Sequence, residues 1–217
     1  MKIGVCVMET GLNNMGPNIE EVLPRHVYLL MNHGPLTLVS AKHGERRNVM
    51  AASWVMPLDF EPPKIVGVFD KNTFTHSLID ASGLVAINLP TRAMAESALA
   101  VGHHSAEDMP ADADKITAFG LSTFESPRLK LPLIEGCSGW LECRLIREPH
   151  IEKNYDLFIA DVVAAWADPR FFSGGRWQPG AEGVPRPATL HYIANGLLFE
   201  SGPLSKIELM SLRDSES

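Results

Sequence analysis

Asn48-Val49-Met50-Ala51-Ala52-Ser53-Trp54 is the stretch on which the reading of this chain turns. It belongs to a run, Val49 to Met56, whose apolar and β-branched character predicts a strand. Yet Ala51, Ala52 and Ser53 are small where bulky residues would fill a core better. Small side chains let a flat ring system lie against a strand, where backbone amides can bond its edge atoms. Upstream, Leu36-Thr37-Leu38-Val39-Ser40-Ala41 predicts a partner strand, ending at the turn Lys42-His43-Gly44-Glu45.

Downstream, the breaker Glu61-Pro62-Pro63 leads to a strand over Ile65 to Phe69 and then to Asp70-Lys71-Asn72-Thr73-Phe74-Thr75-His76-Ser77. Thr73 is a natural N-cap for a helix reaching Ala81, with Phe74, Leu78 and Ala81 on one face. Ser82-Gly83 stops it. The open amides of a helix start, with the Thr73, Thr75 and Ser77 hydroxyls and Lys71 nearby, form an anion site. A strand suited to a planar ring, beside a phosphate-sized anion site, is what a mononucleotide cofactor needs. On pattern alone, a capped helix beside a core strand accounts for the same residues.

The remaining pattern is mainly β. Leu84 to Leu89, Trp140 to Ile146 and Asp156 to Trp166 read as strands, the second half-exposed because Glu142 and Arg144 alternate with apolar residues. Thr91 to Val101 reads as a helix and Phe171 to Pro187 as a Gly/Pro-rich loop. Asn195-Gly196 marks a hairpin within His191 to Phe199. Six to eight strands with two or three short helices predict a closed or sandwiched β domain. A doubly wound sheet is disfavoured, since so few helices cannot cover both faces.

Composition narrows the function classes. The chain has 217 residues, 45% of them hydrophobic, and a net charge of −7. That charge, with no basic run longer than Arg46-Arg47, argues against nucleic acid as a partner. No apolar stretch is long enough to cross a bilayer. Cys6, Cys137 and Cys143 form neither a disulfide framework nor a zinc motif, and a reduced, cytoplasmic setting is expected. His103-His104, with Glu107 and Asp108, reads as a solvated turn rather than a metal site. His150 and His191 flank strands as structural histidines. No G-x-G-x-x-G turn and no serine elbow is found.

Several motifs stand in a shared order: Asn48 to Trp54, Phe60-Glu61-Pro62-Pro63-Lys64-Ile65, Thr75-His76-Ser77-Leu78-Ile79 and Ala86-Ile87-Asn88-Leu89-Pro90. Asp114-Lys115-Ile116 with Gly120-Leu121, Pro132 to Cys137, Leu141-Glu142-Cys143-Arg144 and Leu157 to Val163 continue it. In this order the chain resembles the flavin reductase-like family over about residues 35–199, with its flavoredoxin and ferric-reductase branch the most similar. The resemblance implies an FMN-binding split β-barrel of Greek-key-like type, with a few short helices, assembled as a homodimer with the flavin near the interface.

Carried over by position, Asn48, Met50, Ala51, Ala52, Ser53 and Trp54 would line the flavin ring and ribityl chain. Lys71, Thr75, His76 and Ser77 would hold the phosphate. Trp177 is a candidate cover for a partner's flavin or a simple loop-packing residue, and His191 a candidate at the cofactor mouth. No residue is expected to be catalytic by itself, because FMN carries the chemistry. Members of the family that use NAD(P)H often carry Gly-Asp-His before the late strand; here that place reads Glu152-Lys153-Asn154-Tyr155-Asp156. Electrons are expected from NAD(P)H or a redox protein, passing through FMN to flavin, ferric iron or a partner protein. The alternative is a flavin-binding electron carrier without turnover of its own. The expected organisation is an N-terminal extension (1–34) packed on the barrel, the flavin-binding domain (35–200) and a tail (201–217).

Overall fold

The computed structural model describes residues 22–106, 108–110, 113–178 and 189–203. Cys6, Glu107, most of the 1–34 extension and nearly all of the 201–217 tail therefore lie outside the described residues, as does the stretch from 179 to 188.

The chain forms β1 (Thr37–His43), β2 (Arg46–Ala52), β3 (Val55–Phe60), β4 (Pro63–Val68), α1 (Phe74–Ser82), β5 (Leu84–Leu89) and α2 (Ala95–His103). There follow α3 (Lys115–Ala118), β6 (Thr123–Glu125), β7 (Pro132–Ile134), β8 (Gly139–Ile146), α4 (Pro149–Tyr155) and β9 (Leu157–Ala167). Two short hairpins follow: β10 (Phe172–Ser173) with β11 (Arg176–Trp177), and β12 (Leu190–Ala194) with β13 (Leu197–Glu200). Seven strands make one antiparallel sheet in the order β2-β1-β5-β8-β9-β4-β3, so β2 and β3, which are adjacent in sequence, are its two edges. The protein is mainly β, of the split-barrel class, and the sheet is not closed: β2 and β3 end it.

Local signals place most turns. Gly44, at φ +58°, turns β1 into β2. The Thr73 hydroxyl accepts the His76 amide and caps α1, while Gly83 ends the helix at φ +68°, a conformation a Cβ would resist. Asn195 and Gly196 both take positive φ between β12 and β13, as a tight hairpin requires. The single strand expected over Val49 to Met56 is instead two, because the chain leaves β1 at Ala52 and joins β4 from Val55. The Gly/Pro-rich loop contains the β10–β11 hairpin.

The core is divided by the sheet. One side holds Val39, Ile65, Phe69, Ile79, Val85, Ile87 and Phe158, plugged by α1. The other packs Leu38, Val49, Ala98, Val101, Ile116 and Ile134 under α2 and α3. Thus β1 is buried on both faces, which is why it reads as a continuous apolar run. On α1 the buried residues are Thr75, Leu78 and Ile79, not the face through Ala81, because the helix seats its polar start against β2. Glu142 is also not half-exposed. It is fully buried, and four donors account for that. Among the described residues no helix is long and apolar enough to cross a membrane, and no cluster of metal-ligating side chains occurs.

Candidate functional site

Along β2 two cavities meet. One, of about 160 Å³, is walled by Leu36, Ala51, Ala52, Ser53, Ala98 and Tyr192. The other, of about 260 Å³, lies between Asn48, Met50, Thr73, Thr75 and Lys115. Ala51, Gly102 and His103 line both, so the two form one groove between an edge strand and the end of α2. Among the described residues β2 pairs only with β1, so its outer edge carries no neighbouring strand there. Side chains no larger than Ala or Ser from Ala51 to Ser53 keep that edge accessible. Gly102 allows the close approach of α2, since a Cβ there would stand 3.1 Å from the Ala51 Cβ.

The polar end is wired in one direction. The Lys115 amide donates to Asn48 Oδ1 at 3.3 Å, and Asn48 Nδ2 donates to Thr75 Oγ1 at 3.2 Å. With its oxygen occupied as acceptor, Thr75 retains its own O–H to donate. The His76 amide goes to Thr73 Oγ1 and the Ser77 amide to the Thr73 carbonyl. The Phe74 and Thr75 amides, in the first turn of α1, have no intrahelical acceptor. Arg46 holds its guanidinium 4.1 Å from the centre of the Phe74 ring. No carboxylate lines this cavity among the described residues. Hydrogen-bond donors and one ammonium, that of Lys115, line it, and the charge they favour is negative.

Lys115 is placed by its own short helix. Asp114 caps α3 by accepting the Thr117 amide at 2.7 Å, and Arg47 pairs with Asp114 at 3.3 Å. The Lys115 ammonium donates to the Val101 carbonyl at 2.9 Å, and burial lowers its pKa from the ordinary lysine value.

The structure thus brings Asn48, Met50, Ala51, Ala52, Ser53 and Thr75 to the groove. It places others elsewhere. Trp54 turns its indole to Asn32 Oδ1 at 2.7 Å and meets Tyr28 edge-on. Lys71 is exposed and pairs with Asp156 at 3.7 Å. His76 packs on the Phe158 ring, and Ser77 donates to the Phe74 carbonyl at 2.7 Å. His191 contacts Thr189 Oγ1 and the His33 carbonyl, each at 2.9 Å, leaving its neighbour Tyr192 in the groove. Trp177 lines a separate apolar cavity of about 270 Å³ with Trp140, Trp166 and Phe172. His103, read as part of a solvated turn, ends α2 and lines both cavities. Lys115 and Gly102 had no local signal of a site role: their partners lie 67 and 51 residues away.

The two thiols within the described residues are buried. Burial drives Cys137 strongly upward, and burial with the neighbouring Glu142 charge pushes Cys143 up to about 12. Neither is a nucleophile at neutral pH.

A family model described as flavin reductase like domain matches residues 31–192. An uncharacterized protein of Escherichia coli K12, YddH, is 38% identical over 180 residues, covering 82% of this chain and 92% of its own. The crystal structure of an FMN-binding domain of a flavin reductases-like enzyme from Shewanella baltica is 42% identical, with TM-score 0.75, covering 86% of this chain and 96% of that one. An FMN-binding protein from Thermus thermophilus has the same fold at 22% identity, with TM-score 0.70, covering 90% of this chain and 100% of that one.

Proposed function

Because the chain belongs to the flavin reductase like domain family and FMN is the cofactor of its fold, we propose that it is an FMN-dependent oxidoreductase. In this reading it passes electrons from NAD(P)H or a reduced carrier to free flavin, ferric iron or a partner protein. The observation that carries the reading is the groove itself: a small-residue strand edge running into a cavity lined by hydrogen-bond donors and the Lys115 ammonium. Its buried ammonium, held among the described residues by a neutral carbonyl, fits a phosphate ester.

Asn48, Met50, Ala51, Ala52 and Ser53 would hold the ring and ribityl chain, and Thr75 with the start of α1 would hold the phosphate. When bound, FMN supplies two-electron and one-electron redox chemistry. The chain supplies placement. Ala51 and Ala52 leave the β2 edge open to ring atoms, Asn48 fixes the Thr75 hydroxyl, and Tyr192 and His103 flank the groove. Anaerobic titration of the FMN-loaded protein with NADH and NADPH tests the donor. Bleaching of the flavin band near roughly 450 nm supports a reductase. A protein that takes up no FMN refutes the reading.

A second reading, an electron carrier without nicotinamide turnover, is favoured by α4. The residues before β9 form the end of a helix, Pro149–Tyr155, closed by Asp156 in a left-handed conformation. They carry no histidine at the place where nicotinamide-using relatives have one. Bleaching by a reduced carrier or dithionite, and by neither nicotinamide, supports it. A homodimer is part of either reading, supported by the apolar outer edge at β3.

A further inference from the structure

Three of the four tryptophans of the chain meet away from the groove. Trp140, Trp166 and Trp177, with Phe172, line the apolar cavity of about 270 Å³ at the ends of β8 and β9. It shares no lining residue with either cavity of the groove. Trp140 and Trp166 are paired directly across the two strands, and the β10–β11 hairpin adds Trp177 edge-on to Phe172 at 5.5 Å. Gly139, Ala165 and Ala167 leave the space between the rings open.

The polar groups of this wall are engaged within the protein. Trp140 donates its indole N–H to the Ile134 carbonyl at 2.8 Å, and Ser138 its hydroxyl to the Leu89 carbonyl at 3.1 Å. Trp166 donates its indole N–H to Glu142 at 2.7 Å. No charged side chain lines the cavity among the described residues. Yet Glu142, behind the Trp166 ring, is fully buried and takes part in none of the ion pairs among the described residues. The four donors it accepts from are all neutral. A carboxylate withdrawn from water without a cation makes the space around it attractive to positive charge. It also polarises the indole that bonds it, which adds to the negative charge on the ring faces.

We propose that this aromatic cavity is a binding site for a small alkylated ammonium, of the trimethylammonium kind, and that the site stands independently of the flavin reading. Ring faces attract a cation, and quaternary ammonium groups are the ligands such cages suit. A fully alkylated nitrogen has no N–H to satisfy, which matches walls whose hydrogen-bonding groups are engaged. A primary ammonium would lose its hydration with too few acceptors to replace it. A carboxylate or phosphate would meet the Glu142 charge with no cation in the lining. The cavity is smaller than the space a drug-sized molecule needs, and it fits a compact headgroup. Trp166 is 39% exposed, so a ligand reaches its ring from solvent.

The test compares tetramethylammonium with tert-butanol, a neutral molecule of similar size and shape. Each is titrated into the full-length protein at constant ionic strength, read by calorimetry and by tryptophan fluorescence. Tetramethylammonium should bind saturably and about 5- to 30-fold more tightly than the alcohol, the range of a desolvated cation–π contact. In Glu142→Gln the ratio of the two affinities should fall towards one, a change that loosened packing alone would not produce. Should that variant fail to fold, Trp177→Leu, in the short hairpin, removes one wall and should weaken tetramethylammonium about fivefold or more. Equal affinities for the cation and the alcohol would overturn the proposal and leave an apolar cavity. So would an unchanged ratio in folded Glu142→Gln, or unchanged cation affinity in Trp177→Leu. Absence of any response to tetramethylammonium would overturn it too, as expected if a second copy of the chain covers the cavity.

Discussion

Glu142, in the middle of β8, keeps its charge although no part of it reaches solvent. Burial pushes its carboxyl up. The Ser126 hydroxyl at 2.6 Å, the Leu129 amide at 2.5 Å, the Trp166 indole at 2.7 Å and the Arg128 amide at 3.1 Å outweigh that and hold it below the ordinary value of about 4.5. The carboxylate thereby fastens the loop between β6 and β7 to the sheet. A carboxylate whose folded pKa is depressed contributes stability that is fully present above its unfolded value. That contribution is lost as pH falls through the folded value. Glu142→Gln places an amide NH₂ among four donors and should cost about 2–4 kcal/mol at neutral pH. Urea unfolding across pH 3–7 checks both expectations. The variant should be destabilised at pH 7 and lose part of the decline seen below about pH 4.5 in the parent. An unchanged acid limb would show that other carboxylates set it.

At the scale of elements, the groove exists because α2 approaches β2 at a glycine. Gly102 sits inside a helix, where alanine is favoured by about 1 kcal/mol. A Cβ there would stand 3.1 Å from the Ala51 Cβ and narrow the junction of the two cavities. Gly102→Ala should therefore raise or preserve the melting temperature while weakening FMN binding, by about tenfold or roughly 1.4 kcal/mol. Affinity and stability falling together would mean that the helix, not the groove, was disturbed. This division also separates what the sequence made legible from what it did not. The Gly44 turn, the Thr73 cap, the Gly83 stop and the Asn195-Gly196 hairpin are local events, written within four or five residues. The groove is not local. Asn48 is linked to Lys115 across 67 residues and to Thr75 across 27, so neither pairing leaves a periodicity or spacing signal. The small residues of β2 announced a strand meant for a ligand. The cation facing it, and the break at Ser53-Trp54 that makes β2 an edge, required the fold. Glu142 misled for the same reason: its polar pattern is that of a solvated face, but its donors come from another part of the chain.

For the molecule as a whole, the two edges of the sheet pose different problems. The β2 edge is the proposed flavin groove. The β3 edge exposes Met56, Leu58 and Phe60 at alternate positions, the last of them 95% exposed. An unpaired edge strand with a row of large apolar side chains invites another chain to cover it. A second copy is the occupant we propose. The two edges are joined by Ser53-Trp54 alone, and Asn32 ties both residues to β12 through the Ile193 carbonyl. Covering β3 therefore steadies the end of the groove at Ser53. In sedimentation the protein should run at twice its chain mass of 23.8 kDa. Phe60→Glu should shift it to the monomer, because a carboxylate cannot be buried there without a partner. The monomer should remain folded, since Phe60 contributes almost nothing to the core. It should also hold FMN more weakly than the dimer, although Phe60 lies at the far end of β3 from Ser53. A parent that sediments as a monomer removes the proposed assembly. A monomeric variant with undiminished FMN affinity would keep the assembly but separate it from the groove.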